Sequence, residues 1–300
     1  MSATRASFSP SKDDITRRIA EALDAELITA EAARPNEHPD ALDYILRGRA
    51  AKLNPPSADV HAKAIGLFEQ ALAIDPGSPE AQIRLAGELI GGTLNGTTVS
   101  SKTDIARAET LISQALAVWP RSSLAHFVKA QILRAKHLCA EAIPEYEMVL
   151  ASNRNSAGAY ASLGQCKLWE GLIDETIPLE ENAIHLSPRD PGIGIWYWRI
   201  GVVHLLQSRT DEAVRWLEKA CVATPAVPLH HAYLAAALAL KGENDRATAE
   251  LAETRRLSPD DMYSTITHLR EVRYWGVPKI RALYEATYFA GLRKAGMPEE

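Results

Sequence analysis

IGVVHLLQSRTDEAVRWLEKACVATP (residues 200–225) and LAAALALKGENDRATAELAETRRLSP (residues 234–259) carry one punctuation. In each, a small residue (Gly201, Ala235) is followed by an alanine (Ala213, Ala247) and a closing proline (Pro225, Pro259), and every landmark has moved by 34 residues. Gly164, Thr176, Ala183 and Pro188 stand 37 residues before the first copy, and Ala130 and Ala142 stand 34 before those. Ala108, Ala115 and Pro120 lie 34 earlier again, and Ala64, Phe68, Ala71 and Pro76 a further 44. Two small residues at fixed spacing let antiparallel helices cross closely, while Phe68, Ile112, Tyr146, Leu217 and Leu251 fill the space between them. The prolines cannot continue a helix and mark each handover to the next pair. One helix pair cannot bury its own apolar face, so six such pairs predict a stacked array.

These spacings resemble the tetratricopeptide repeat family. The resemblance implies an all-α, right-handed α-solenoid of six helix-turn-helix units near residues 42–76, 79–120, 123–154, 157–188, 194–225 and 228–259, so the array spans 42–259. Asp211 and Asn244 or Asp245 are expected as N-caps of second helices. Two departures lengthen turns: a polar, Gly-rich loop at residues 91–104 and the Asn54–Pro55–Pro56 interruption.

Composition agrees with helices. Of 300 residues, 46% are apolar, 24% are charged and the net charge is −5, enough apolar content for a core and too little charge for a disordered chain. Alanine occupies 48 positions, and strand-like runs of Val, Ile and Thr are nearly absent. No basic block suggests nucleic acid, the longest apolar run is too short to span a membrane, and no leader-like segment opens the chain. These features predict a cytoplasmic protein. Cys139, Cys166 and Cys221 are widely spaced and read as small buried hydrophobes rather than a disulfide or metal set. His230 and His231 fall on different helical faces with no carboxylate three or four residues on, so no metal site is predicted. No phosphate loop, nucleophile elbow or zinc-protease motif occurs, so no catalytic residue, cofactor or enzymatic activity is expected. Glu180–Glu181 and Asp260–Asp261 read as solvated pairs near helix ends, and Asn95–Gly96–Thr97 as a sequon without consequence.

The flanks read separately. Residues 1–12 are Ser-rich and aperiodic and are expected to be disordered. Residues 13–41 form a helix and linker, with Asp13 or Asp14 as cap and Ile15, Ile19, Ala22, Leu23 and Leu27 on one face. Residues 260–300 carry a stripe of Ile280, Leu283, Tyr284, Tyr288 and Leu292, expected to cap the last repeat. Residues 13–51 and 284–300 also resemble the segments flanking the repeats of class III adenylate/guanylate cyclases of alpha-proteobacterial type. That resemblance implies a bacterial signal-transduction role beside a cyclase, although no cyclase domain is present in this sequence.

Tetratricopeptide arrays bind partners in the groove lined by their first helices. Here the inward positions are Phe127, Gln131 and Arg134 in the third unit, Gln165 and Trp169 in the fourth, Trp198, Val202 and Leu205 in the fifth, and Ala232 and Ala236 in the sixth. A mainly apolar groove suits an apolar or amphipathic protein segment; the alternative is that a tightly wound superhelix buries these residues or that a terminal helix of this chain occupies the groove. The expected function is therefore a non-catalytic interaction scaffold related to cyclase signalling, with a truncated, inactive cyclase remnant as the alternative. No nucleic-acid or membrane-spanning role is expected, and the terminal helices offer a pairing surface for a second copy.

Overall fold

A computed structural model describes residues 23–300 apart from positions 24, 35, 37, 55–56, 97, 99 and 259–260. The expectations for residues 1–22, for Pro55, Pro56 and Pro259, for Asp260 and for the Thr97 position of the sequon lie outside the described residues. Among those described, the secondary structure is entirely helical. The chain has the all-α tetratricopeptide-repeat fold, and it divides into two compact units, Met1–Val128 and Lys129–Glu300.

In the first unit, α1 (25–32) buries Ile28, while Leu23 and Leu27 face outward. Then come the pairs α2 (Ala41–Ala51) with α3 (Ala58–Ile74) and α4 (Pro79–Leu94) with α5 (Ser101–Val118). Asp40 and Asp43 close a reciprocal capping box on α2, and Ser57 and Ser78 cap α3 and α4. Gly48 sits where a Cβ would come within 2.4 Å of the Phe68 ring, which makes it the first repeat's close-crossing residue. The polar loop predicted at 91–104 is shorter than expected: α4 runs on to Leu94 and α5 starts at Ser101. The extra residues lengthen two helices instead of making a free loop.

The helix α6 (Ser123–Ala135) carries the division between the units. The second unit continues with α7 (Cys139–Ser152), α8 (Ala157–Trp169), α9 (Thr176–Leu186), α10 (Ile193–Leu206), α11 (Thr210–Ala223), α12 (Pro228–Lys241) and α13 (Asn244–Leu257). A Cβ on Gly201 would lie 2.7 Å from Leu217 Cγ, and Ala130, Ala142, Ala213, Ala235 and Ala247 are fully buried. The turns inside the pairs share one design. His137, Gly171, Ser208 and Gly242 adopt positive φ (61°, 77°, 58° and 92°) at one repeat position. The next amide then donates back to the preceding helix, as from Leu138 to Leu133 and from Arg209 to His204, the bond of a Schellman turn. Asp211 and Asn244 or Asp245 are not N-caps: the helices start from Arg209 and Glu243, with no side-chain cap, because the turn itself sets the entry.

A second recurring tie joins neighbouring pairs. Six residues after each of three closing prolines, a side chain reaches back to the proline carbonyl: Gln82 Nε2 donates to Pro76 at 2.9 Å, His126 Nε2 to Pro120 at 3.0 Å and His231 Nε2 to Pro225 at 3.0 Å. After α13 come α14 (Ile266–Val272) and a long helix built from α15 (Pro278–Tyr284), a π turn (Glu285–Phe289) and α16 (Ala290–Lys294).

Candidate peptide-binding groove

The groove positions of the second unit recur with the repeat, so Gln131, Gln165, Val202 and Ala236 occupy one register. At Ala236 that face is covered. Gly291 of the C-terminal helix lies so close that a Cβ there would fall 2.5 Å from the Ala236 carbonyl oxygen. The helix therefore packs along the first-helix face of α12, with its π turn against α10, instead of standing free. Its stripe is buried at Ile280, Tyr284, Tyr288 and Leu292, and the π turn rotates Phe289 inward beside Tyr288. Tyr288 stacks on Tyr233 at 3.9 Å, and Tyr233 meets Trp198 edge-on at 5.1 Å.

Trp198, Val202 and Leu205 of the predicted groove are consequently not available to a partner, and Ala232 and Ala236 are fully buried beside them. Trp198 is 8% exposed, and Val202 and Leu205 are fully buried. Apolar side chains at these positions mark the seat of the chain's own C-terminal helix. Trp169 is half-buried beneath the strap that leads into that helix. Val277 N donates to the Trp169 carbonyl at 3.0 Å, and Tyr274 packs edge-on to Trp169 and stacks on His137 at 4.0 Å.

Gln131, Arg134 and Gln165 form a polar system. Arg134 donates to Gln131 Oε1 through Nε and Nη2 and to Gln165 Oε1 through Nη1. Tyr146 donates its hydroxyl to Gln131 at 3.0 Å. Arg199, which the sequence reading passed over, joins from α10, donating to Gln165 Oε1 at 3.2 Å, to the Ala161 carbonyl at 3.0 Å and to Glu180 Oε1 at 2.9 Å. Glu180 is no solvated helix-end residue. It is fully buried on the core face of α9, in the register held by Tyr146, Leu217 and Leu251 in other repeats. Burial pushes its carboxyl up to about 7 against the opposing pull of Arg199, and its second oxygen has no hydrogen-bond partner. Among the described residues, Arg134 has no carboxylate in ion-pair contact. Phe127, on α6, is partly buried.

The cysteines are free and buried, as expected, and two of them meet. Cys139 and Cys166, 27 residues apart, place their sulfurs 3.0 Å from each other in the core. No helix among the described residues is long and apolar enough to cross a membrane.

A tetratricopeptide-repeat family model matches residues 100–160. Among solved structures, the chain is similar to one in the APC/C hetero-tetramer Cut9–Hcn1, at 15% identity and a TM-score of 0.65. That match covers 84% of this chain and 46% of the other, so this chain spans under half of its length. It is also similar to PilW, a type IV pilus biogenesis factor, at 16% identity and a TM-score of 0.57, covering 77% and 97%. A third match is PilF of Pseudomonas aeruginosa, at 14% identity and the same TM-score, covering 77% and 95%. No curated protein matches the chain. These likenesses establish the tetratricopeptide-repeat fold. None of them carries the resemblance to nucleotide cyclases.

Proposed function

We propose that the second unit binds a protein partner at the polar end of its first-helix face, where Gln131, Arg134 and Gln165 stand. The partner presents an anionic or carbonyl-rich segment there. The observation that carries this reading is Arg134: its guanidinium donates to two neutral amide oxygens and, among the described residues, has no carboxylate in ion-pair contact. The buried carboxylate of Glu180 is engaged by Arg199 at 2.9 Å. The apolar half of the same face is already filled by the C-terminal helix, which argues against the apolar or amphipathic ligand that the sequence suggests.

Fluorescence anisotropy with a panel of acidic and apolar peptides tests the reading. An acidic peptide is expected to bind with an affinity that falls as salt rises. Arg134→Ala should weaken it at least tenfold, the loss of about 1.5–3 kcal/mol for a hydrogen bond to a charged group. Tighter binding of apolar peptides, unaffected by Arg134→Ala, would overturn the polar-end assignment. Because residues 13–51 and 284–300 resemble cyclase flanking segments, a class III cyclase catalytic domain belongs on the panel. The remnant reading expects no binding by any member.

A further inference from the structure

We propose that Cys221, His231 and Glu250 form a zinc site where the fifth and sixth repeats meet. Cys221 lies near the end of α11, His231 in the first turn of α12 and Glu250 halfway along α13, so three helices converge on one point. A sulfur, an imidazole nitrogen and a carboxylate oxygen from them lie within 4.8 Å of one another.

The repeat fixes the chemistry of His231. Its Nε2 makes the same tie to a proline carbonyl that Gln82 makes, and an amide nitrogen in that place can only donate. Nε2 therefore carries the hydrogen, and in neutral imidazole Nδ1 is a lone pair. That lone pair faces the Glu250 carboxylate at 2.6 Å. Two acceptors repel at this distance unless a cation lies between them, either a proton or a metal ion. The superficially similar pair His61–Glu88 already has one, since Lys52 Nζ stands 2.9 Å from the same carboxylate oxygen. At His231, the third donor is a thiol.

Sulfur, imidazole nitrogen and carboxylate oxygen together are the ligand set of zinc, whereas calcium and magnesium take oxygen alone. A histidine whose other ring nitrogen donates to a backbone carbonyl is the usual orientation of a metal-bound imidazole. Tetrahedral coordination separates ligand atoms by roughly 3.3–3.6 Å, a spacing that falls between the 2.6 Å nitrogen–oxygen distance and the 4.8 Å limit of the cluster. Cys221 and His231 are buried and Glu250 is partly exposed, so the site opens toward solvent and leaves a fourth position for water.

The test uses the full chain, stripped with chelator and titrated with zinc chloride. One equivalent is expected to bind and to raise the unfolding temperature. His231→Gln is the informative variant, because glutamine serves at this repeat position in Gln82 and keeps the carbonyl tie while removing Nδ1. It and Cys221→Ser should each weaken zinc at least tenfold with unchanged circular dichroism. Cobalt in place of zinc should give a thiolate charge-transfer band in the wild type and in Cys139→Ser but not in Cys221→Ser. Failure of the wild type to retain zinc, or equal binding by His231→Gln, would show that a proton alone bridges His231 and Glu250.

Discussion

At the scale of single residues, one repeat differs from its neighbours in its core. Four residues after the early small residue stand Phe68, Ile112, Tyr146, Glu180, Leu217 and Leu251. Five are apolar or aromatic. Glu180 is accommodated because Gly164 opposite has no Cβ, which would fall 2.8 Å from Glu180 Oε1, and because Arg199 reaches across from α10. A buried pair costs desolvation at both ends, and losing one partner costs more than losing both. Glu180→Leu alone should therefore destabilise the protein by about 3–5 kcal/mol. Glu180→Leu with Arg199→Met should return most of that, since Leu already serves in two other repeats. The pH dependence has a definite sign. The folded carboxyl titrates near 7 against an ordinary 4.5, so the folded state holds a proton that the unfolded chain has released between those values. Its contribution to stability is present at low pH and is lost as pH rises through 7. Urea denaturation across pH 5–8 should show this loss in the wild type and not in the double variant. A double variant as unstable as Glu180→Leu would mean that the ion pair has no apolar substitute here.

At the scale of elements, the chain shows what a sequence can and cannot announce. The helix pairs were legible because Ala, Gly and Pro each act locally: small residues permit close crossing and proline ends a helix wherever the chain then goes. The C-terminal helix was legible as an amphipathic stripe, and a terminal helix in the groove as one alternative, but which residues it would meet was not. Gly291 meets Ala236 across 55 positions, a contact without any period, and apolar groove residues read alike whether they await a partner or are already covered. Arg199 was hidden in the aromatic run 196–198, and Glu180 behind Glu181, although aligning the repeats by register exposes Glu180 at a core position. The Cys221–His231–Glu250 cluster escaped because its members come from three helices instead of one helical turn. The seat of the C-terminal helix makes a sharp prediction. Gly291→Val must displace backbone, since the blocking atoms are the Ala236 carbonyl and Cα, and overpacking of this kind costs about 1–3 kcal/mol. Hydrogen exchange should then quicken across residues 278–294 while α2 to α5 keep their protection. Unchanged exchange in that helix would mean that the crossing tolerates a side chain.

At the scale of the whole molecule, stacked repeats are held by neighbour contacts alone, so their stability is approximately a sum of local terms. The second unit adds something a plain stack lacks. Its C-terminal segment ties Trp169 at the end of α8, meets α10 through the π turn and lies along α12, so three successive repeats share one covering helix. Arg270 and Arg293 anchor its flank through Glu285 and Glu299, and the backbone of Ile266 and Thr267 donates to Pro298 and Glu299, closing the end of the chain onto α14. Contacts that span several repeats couple their unfolding, and they raise the surface exposed in a single transition. A chain ending at Val277 should therefore unfold at lower urea concentration and with a smaller slope, because slope scales with the area exposed cooperatively. The same truncation uncovers Trp198, Tyr233 and Ala236, so it should bind an apolar dye that the full chain leaves alone. Tryptophan fluorescence and circular dichroism, which coincide when unfolding is two-state, should separate in the truncated chain. If midpoint and slope survive the truncation, the covering helix is an appendage and the repeats hold themselves together without it.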